Sequence, residues 1–151
     1  MADVWTKERR SQVMSLVRGY GNKETELVLV KFFRRNKIKG WRRHASLFGK
    51  PDFVFQNVQL AVFVDGCFWH GCPKHKRTPK SNSEFWIHKF SINKKRDIIV
   101  NRTLRSQGWR ILRIWEHELT RRNEARLLQR IRRALFQPSL TRVACAGNFK
   151  L

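Results

Sequence analysis

Acidic residues are scarce in this sequence. Its 151 residues include 11 Asp or Glu against 33 Lys or Arg, which gives a formal net charge of +22 at pH 7. A compact domain with such a surplus repels itself, so we expect a polyanionic partner, with nucleic acid ahead of a membrane surface. The basic residues extend from Lys7 to Lys150. This spread indicates a folded surface that follows a phosphate backbone, not a detachable basic arm.

Long apolar runs and cysteines are also few. No run approaches the ~20 apolar residues of a membrane span, and residues 1–20 lack the apolar core of a signal peptide. We therefore expect a cytoplasmic protein without a membrane partner. Three cysteines cannot all pair, and Cys67 and Cys72 lie beside histidines, which favours a metal over a disulfide in a reducing compartment. With 41% hydrophobic residues the chain can bury a core, and its length fits one domain.

The order of the predicted elements indicates an α/β fold with a small mixed sheet. Apolar periodicity predicts helices over residues 6–17, 23–37, 84–106 and 123–136, with Ser83 capping the third. Apolar runs predict strands over residues 52–55, 60–64 and 109–115, the first two adjacent and separated by a turn at Gln56 and Asn57. Residues 66–83 read as an irregular loop.

Two of the few acids lie at strand ends. Asp52 opens the first predicted strand and Asp65 closes the second. Side by side, these ends could surround a hard cation such as Mg²⁺ with a carboxylate and backbone carbonyls, and Glu26 could act through water bound to that cation. Such a cation neutralises charge on a scissile phosphate and lowers the pKa of an attacking water. The simpler alternative is that Asp52 caps a turn.

A histidine and an aspartate form a second candidate pair. The imidazole of His70 could accept a proton from an activated water near neutral pH. Asp97 could hold its tautomer, because it lies seven residues from both Phe90 and Leu104 and so shares their inward-facing side of a helix. The alternative for Asp97 is a buried salt bridge to an arginine.

The loop carries a spacing suited to zinc. Cys67, Cys72 and His75 form C-x4-C-x2-H, and a closed tetrahedral site would need one further ligand. The candidates for that ligand are His117, which directly follows the last predicted strand, and His88, Cys145 and His44. The alternative is two small buried cysteines with histidines on the surface.

Aromatic residues flank the same loop. Phe68 and Trp69 lie at its start, and Phe85 and Trp86 follow its end. They could pack as core, or they could be inserted between base pairs, which costs roughly a few kcal/mol per unstacked step. The sequence does not sort Trp69 from Trp86 between these roles.

Several strings resemble one known family. They are Asp52-Phe53, the segment from Phe63 to Pro73 with its GCFWHGC string, Glu84-Phe85-Trp86, Arg96-Asp97, Gly108-Trp109-Arg110 and Trp115-Glu116. Together with Arg10-Ser11, Met14 and Thr25-Glu26-Leu27, they resemble the very short patch repair (Vsr) DNA mismatch endonucleases. The resemblance implies an endonuclease domain over residues 1–137, in which residues 1–20 form a helical arm contacting DNA, and a tail over residues 138–151.

The resemblance also implies a fold and an activity. The fold would be restriction-endonuclease-like, with a mixed central sheet flanked by helices and a structural zinc loop. The activity would be Mg²⁺-dependent nicking of double-stranded DNA, 5′ of the mispaired thymine in a T·G mismatch left by deamination of 5-methylcytosine. We expect a monomer, bacterial and associated with the nucleoid, with mismatch-repair proteins as further partners. The alternatives are a restriction-type endonuclease on matched DNA and a zinc-stapled nucleic-acid-binding module without activity.

Residue roles follow from the same resemblance. Asp52 and the backbone carbonyl of Val64 would bind the metal, His70 and Asp97 would be the catalytic pair, and Glu26 would contact the water shell of the metal. The zinc ligands would be Cys67, Cys72, His75 and His117, and the intercalating residues would be Phe68, Trp69 and Trp86. Some members have cysteine in place of His117, and some have histidine in place of Asp65. Asp65 is therefore a further catalytic candidate that could touch the metal directly.

Overall fold

The computed structural model describes Thr6, residues 25–75 and residues 82–136. Apart from Thr6, the helix predicted over residues 6–17 lies outside the described residues, as do residues 76–81 and the tail over 138–151. Within the described part of the chain, no helix is both long enough and apolar enough to cross a membrane.

Three helices and four strands form the described fold. The helices are α1 (Glu26–Arg35), α2 (Ser83–Ser106) and α3 (Glu124–Phe136). The strands are β1 (Trp41–Arg43), β2 (Phe53–Phe55), β3 (Leu60–Asp65) and β4 (Arg110–Trp115). Each helix and strand predicted within the described residues is present, with its ends shifted by a few residues, and a 3₁₀ turn (Gln56–Val58) separates β2 from β3 as expected.

The strands form one mixed sheet in the order β1-β2-β3-β4. β1, β2 and β3 are antiparallel neighbours, whereas β4 runs parallel to β3. The α/β class and the mixed sheet are therefore confirmed. Because Phe53 pairs with Val62, the start of β2 lies beside the end of β3, and the two acidic strand ends meet as predicted.

One strand was missed and one local prediction was wrong. Strand β1 was not predicted, because Trp41-Arg42-Arg43 has no apolar alternation; it is an edge strand that pairs with β2. Ser83 does not cap α2 but begins it, and the N-cap is Asn82 with φ +55°. Asparagine tolerates this left-handed conformation better than most residues do.

The two faces of the sheet are covered by different helices. On one face, Leu29 and Phe33 of α1 and Leu127 of α3 pack in a cluster with Phe53 and Val62. On the other face, Val100 and Leu104 of α2 pack against Ala61 and Phe63. Alternate residues of β3 thus point to opposite faces. Asp65, two residues after Phe63, therefore lies on the face that α2 covers.

Candidate active site and metal-binding loop

A cavity of about 340 Å³ opens where β3 ends, between the sheet and α2. We call it the sheet-end cavity. Its lining includes Asp52, Val64, Asp65, His70, Asp97 and Arg113. Arg96 also lines it and adds a positive charge at the place where acids converge. Asp52, Val64, Asp65, His70 and Asp97, which were singled out separately in the sequence, thus line one cavity, whereas Glu26 is not part of its lining.

Asp52 sits at the junction of β2 and β3. The backbone N–H of Val64 donates a hydrogen bond to Oδ2 of Asp52 at 2.7 Å. Burial raises the pKa of Asp52 to about 6, and the charges of Glu26 and Asp65 add to this effect, while the bond from Val64 opposes it. A nearby cation would stabilise the ionised form of this carboxylate, which fits a metal-binding role.

Glu26 is a buried acid at the first turn of α1. Only 3% of its surface is exposed, and Nε of Arg43 donates a hydrogen bond to its Oε1 at 2.7 Å. Nε2 of His44 lies 3.8 Å from the same oxygen. Glu26 is thus ion-paired with β1, near enough to Asp52 to affect its pKa. Its action through metal-bound water stays a prediction.

His70 and Asp97 are brought together as the sequence indicated. Nδ1 of His70 lies 2.8 Å from Oδ2 of Asp97. Burial alone would lower the pKa of His70, but the bond to Asp97 and the charges of Asp65 and Asp97 outweigh it and raise that pKa above 6.5. Burial likewise opposes ionisation of Asp97, yet its partners His70 and Arg113 hold its pKa below the ordinary value.

The arginine that pairs with Asp97 is Arg113, which the sequence reasoning did not identify. Nη2 of Arg113 donates to Oδ1 of Asp97 at 3.1 Å, so Asp97 has both a histidine partner and an arginine partner. Nη1 donates to both carboxylate oxygens of Asp65, at 2.7 and 2.9 Å. One feature of the sequence could have identified Arg113: it is a charged residue between Leu112 and Ile114, in a strand whose other residues are largely apolar.

The four predicted zinc ligands form a compact cluster. Potential ligand atoms of Cys67, Cys72, His75 and His117 all lie within 4.8 Å of one another. Nδ1 of His117 is 3.2 Å from Sγ of Cys67 and 3.6 Å from Sγ of Cys72, and Nδ1 of His75 is 3.7 Å from Sγ of Cys72. Tetrahedral zinc with bonds of about 2.0–2.3 Å would place its ligand atoms roughly 3.3–3.8 Å apart, so these side chains could hold such an ion.

The cluster includes His117 and not the other candidates for the fourth ligand. His44 lies beside Glu26, and His88 is an exposed residue of α2 outside the cluster. Cys145 lies outside the described residues. His117 is in place because the 3₁₀ turn Glu116–Leu119 directly continues β4.

Hydrogen bonds between the loop backbone and the side chains of two neighbouring elements anchor the loop. The N–H of Cys67 donates to Oε2 of Glu116 at 3.1 Å, which ties the loop to the end of β4. Nδ2 of Asn93 donates to the carbonyl of Trp69 at 2.8 Å, which ties it to α2. Gly71 has φ +59°, a conformation that glycine adopts at little cost, and it lies in the turn that Cys72 closes by donating its N–H to the carbonyl of Cys67. His70 therefore directly follows a segment that is anchored at Cys67 and at Trp69.

The loop aromatics pack on one another. The ring of Phe68 contacts those of Trp69, Trp86 and Phe90, with centroids 5.0–5.6 Å apart. Trp86 is 8% exposed and so serves as core in this structure, whereas Phe68 and Trp69 are half-buried. Phe85, at 58% exposure, lies on the outer side of Trp86. Insertion of Phe68, Trp69 and Trp86 into DNA stays a prediction.

Comparisons with known proteins agree on one family. Residues 2–77 match the family model described as DNA mismatch endonuclease Vsr. The type II nicking enzyme V.NmeDIP of Neisseria meningitidis serogroup C is 37% identical over 135 residues, which cover 88% of this chain and 90% of that relative. The DNA mismatch endonuclease Vsr of Escherichia coli K12 is 35% identical over 128 residues, or 82% of this chain and 80% of that relative. The type II nicking enzyme V.NaeI of Lentzea aerocolonigenes is 54% identical, but over 69 residues, which span 46% of this chain and 42% of the relative.

Proposed function

Because the chain belongs to the family of Vsr DNA mismatch endonucleases, we propose that it nicks one strand of a DNA duplex 5′ of the mispaired thymine in a T·G mismatch. Such mismatches arise when 5-methylcytosine deaminates, so this cut would begin very short patch repair. The proposal includes a restriction-endonuclease-like arrangement of the sheet and its flanking helices. It is carried by one observation: Asp52 and the His70–Asp97 pair line the same cavity.

The metal in this proposal is Mg²⁺, held by the carboxylate of Asp52 and the backbone carbonyl of Val64. When bound, Mg²⁺ neutralises charge on the scissile phosphate and makes an attacking water more acidic. The donor set fits, since Mg²⁺ prefers one or two carboxylates together with waters and substrate phosphates. The raised pKa of Asp52, caused by burial and by the charges of Glu26 and Asp65, supports a cation at this place.

His70 would accept the proton of the attacking water. Its Nδ1 is bonded to Asp97, which leaves Nε2 as the nitrogen that can take up a proton. Asp97 would keep this tautomer and stabilise the imidazolium that forms. Arg96, on the lining of the sheet-end cavity, would attract the phosphate, and Glu26 would orient water near Asp52.

The loop from Cys67 to His75 would support the same reaction by holding His70 in place. Zinc on Cys67, Cys72, His75 and His117 would fix the loop that carries His70, because a short loop with few apolar residues gains its order from the metal. Phe68 and Trp69, backed by the buried Trp86, would be inserted beside the mispaired bases.

Matched and mismatched duplexes of one sequence test the proposal. With each strand labelled separately, we expect a single cut 5′ of the thymine in the T·G duplex and no cut in the matched duplex. The alternative is a restriction-type endonuclease that acts on matched DNA, which the chain's similarity to type II nicking enzymes also allows. Equal cutting of both duplexes would establish that alternative. Binding without cleavage in any divalent metal would instead indicate a binding module.

A further inference from the structure

We propose that Arg113 is a positioning residue for His70 and that Asp65 anchors Arg113 instead of binding the metal. The inference rests on the proposed function for the step that it assists, since His70 is the base in that step. It goes beyond the proposed function by assigning a role to an arginine–aspartate pair that does not itself touch the reacting atoms. The argument starts from the place of Arg113 in the sheet.

Arg113 points into the sheet-end cavity because of the register of two strands. In the parallel pair β3–β4 it lies opposite Phe63, so its side chain is on the face of the sheet that α2 covers. Its guanidinium carbon is 4.7 Å from the centroid of the Phe63 ring, within the range of a cation–π contact. Four-fifths of its side chain is buried. Stacking and burial together restrict the guanidinium to one plane.

All three guanidinium nitrogens donate to side chains that line or support the cavity. Nη1 donates to both oxygens of Asp65, Nη2 donates to Oδ1 of Asp97, and Nε donates to Oδ1 of Asn101 at 3.2 Å. Asp97 and Asn101 are four residues apart on α2 and therefore lie on one face of the helix. Arg113 thus fastens the catalytic segment of α2 to the sheet.

Asp97 is fixed at both of its oxygens by this arrangement. Oδ1 receives the bond from Arg113, and Oδ2 bonds Nδ1 of His70. A carboxylate that is held at one oxygen can still rotate, whereas one held at both cannot. The orientation of the His70 ring therefore depends on Arg113 through Asp97.

The same contacts argue against Asp65 as a metal ligand. Asp65 is 5% exposed, and both of its oxygens lie within hydrogen-bond distance of one guanidinium nitrogen. A cation that bound Asp65 directly would have to approach a site already occupied by a positive charge. Asp52, whose carboxylate is bonded to a backbone N–H and not to an arginine, carries no such obstacle.

Arg113→Lys provides the main test, because it keeps the charge but cannot bond two carboxylates in a fixed plane. We expect kcat for nicking a T·G duplex to fall by about 10- to 100-fold, since a misplacement of about 1 Å can cost roughly 100-fold. KM for the duplex and the Mg²⁺ concentration at half-maximal rate should stay within about threefold. In an Asp97→Asn background the same substitution should lower kcat by less than about threefold, because groups that act as one unit are not additive. An equal loss in both backgrounds would overturn the proposal.

Asp65→Asn separates anchoring from metal binding. As an anchor, Asp65 should behave like Arg113, so kcat falls while the half-maximal Mg²⁺ concentration is unchanged. A rise in that concentration of about tenfold or more would make Asp65 a ligand and overturn this part of the proposal. A single variant could unfold because it leaves one buried charge unpaired. The double variant Asp65→Asn/Arg113→Gln removes both charges together and provides the test in that case. It should show no greater loss of kcat than Asp65→Asn alone.

A readout without DNA distinguishes this inference from the proposed function. In the full-length protein without Mg²⁺, the Nδ1–H proton of His70 should give a downfield NMR signal protected by the bond to Asp97. The signal should be lost in Arg113→Lys and retained in the control Arg110→Lys, whose parent side chain bonds the carbonyls of Val58 and Ala134 on the other side of the sheet. If no duplex is nicked, the proposed function fails while this signal still decides the role of Arg113. Persistence of the signal in Arg113→Lys would refute that role.

Discussion

At Asp52 a carboxylate is held where its surroundings oppose its charge. Its pKa rises from the ordinary 3.8 to about 6 because of burial and of the nearby acids Glu26 and Asp65. Between these two pH values the unfolded chain has released the proton while the folded chain still holds it. Stability therefore falls as the pH rises through this window and stays lower above it. The arrangement costs stability in order to keep an anionic oxygen in the sheet-end cavity.

Asp52→Asn should therefore stabilise the protein in the absence of Mg²⁺. The shift from 3.8 to about 6 corresponds to a cost of at most roughly 3 kcal/mol at neutral pH, and the amide removes the charge while its oxygen still accepts the bond from Val64. Urea unfolding at pH 7.5 in buffer without added Mg²⁺ and without a chelator, which leaves zinc bound, should show a gain of about 1–3 kcal/mol, and the gain should disappear near pH 4. An unchanged or lower stability at pH 7.5 would mean that Asp52 is not held against its charge.

At the scale of elements, the loop from Cys67 to His75 depends on the end of β4. His117 enters the Cys/His cluster only because the chain continues from β4 into the turn Glu116–Leu119, and Glu116 bonds the N–H of Cys67. Backbone hydrogen bonds from the N–H groups of His70, Gly71, Cys72 and His75 to carbonyls three to five residues earlier in the chain give the loop its turns. Under the proposal, zinc bound to the Cys/His cluster would supply the rest of its order.

His117→Ala should lower bound zinc and thermal stability without removing a catalytic group. Loss of a supporting partner of a metal ligand already costs about 10- to 100-fold in affinity, so the loss of a ligand should cost more than about 100-fold. Zinc content by mass spectrometry and the melting temperature are the measurements. The matched control is His88→Ala, an exposed histidine of α2 outside the cluster. Full zinc occupancy in His117→Ala would remove it from the ligand set.

Of the three aromatic residues proposed to enter DNA, Trp69 is the one to test, because it is half-buried and contacts two rings, whereas Phe68 contacts three and Trp86 is core. Trp69→Ala should weaken binding to a T·G duplex by about 10- to 100-fold, because an aromatic stacked on a base contributes roughly 1–3 kcal/mol. Fluorescence anisotropy should show a smaller loss with matched DNA, whose paired bases resist insertion. Phe85→Ala, on an exposed ring of the same aromatic group, is the control. Equal losses with the two duplexes would argue against a wedge at the mismatch.

The sequence predicted those parts of the fold and site that depend on local spacing. Asp97 lies seven residues from Phe90 and Leu104, both buried in the structure, so its inward position followed from helical periodicity. The partner of Asp97 did not follow, because Arg113 reaches it only through the parallel register that sets β4 beside β3. Strand β1 was likewise not predicted, because it is a strand through its pairing with β2 and has no apolar pattern of its own.

At the scale of the whole molecule, the net charge of +22 should dominate nonspecific binding. A protein that contacts about six or more phosphates loses roughly 1,000-fold or more in affinity between 50 and 200 mM salt, because it releases counterions from DNA. We expect this loss for matched and T·G duplexes alike, with parallel plots of log K against log salt in titrations of both. A loss below about tenfold would show that the basic surface does not follow the backbone.

The central claim is that Asp52 and the His70–Asp97 pair form one Mg²⁺-dependent nicking site. Its most direct test measures single-turnover nicking of a T·G duplex against Mg²⁺ concentration, by the unmodified chain and by Asp52→Asn, with binding measured in parallel. The account predicts a cut 5′ of the thymine that EDTA abolishes. It also predicts that Asp52→Asn binds the duplex with an affinity within about threefold but does not nick it, because Mg²⁺ loses its carboxylate ligand. Nicking by Asp52→Asn at an unchanged rate would contradict the account.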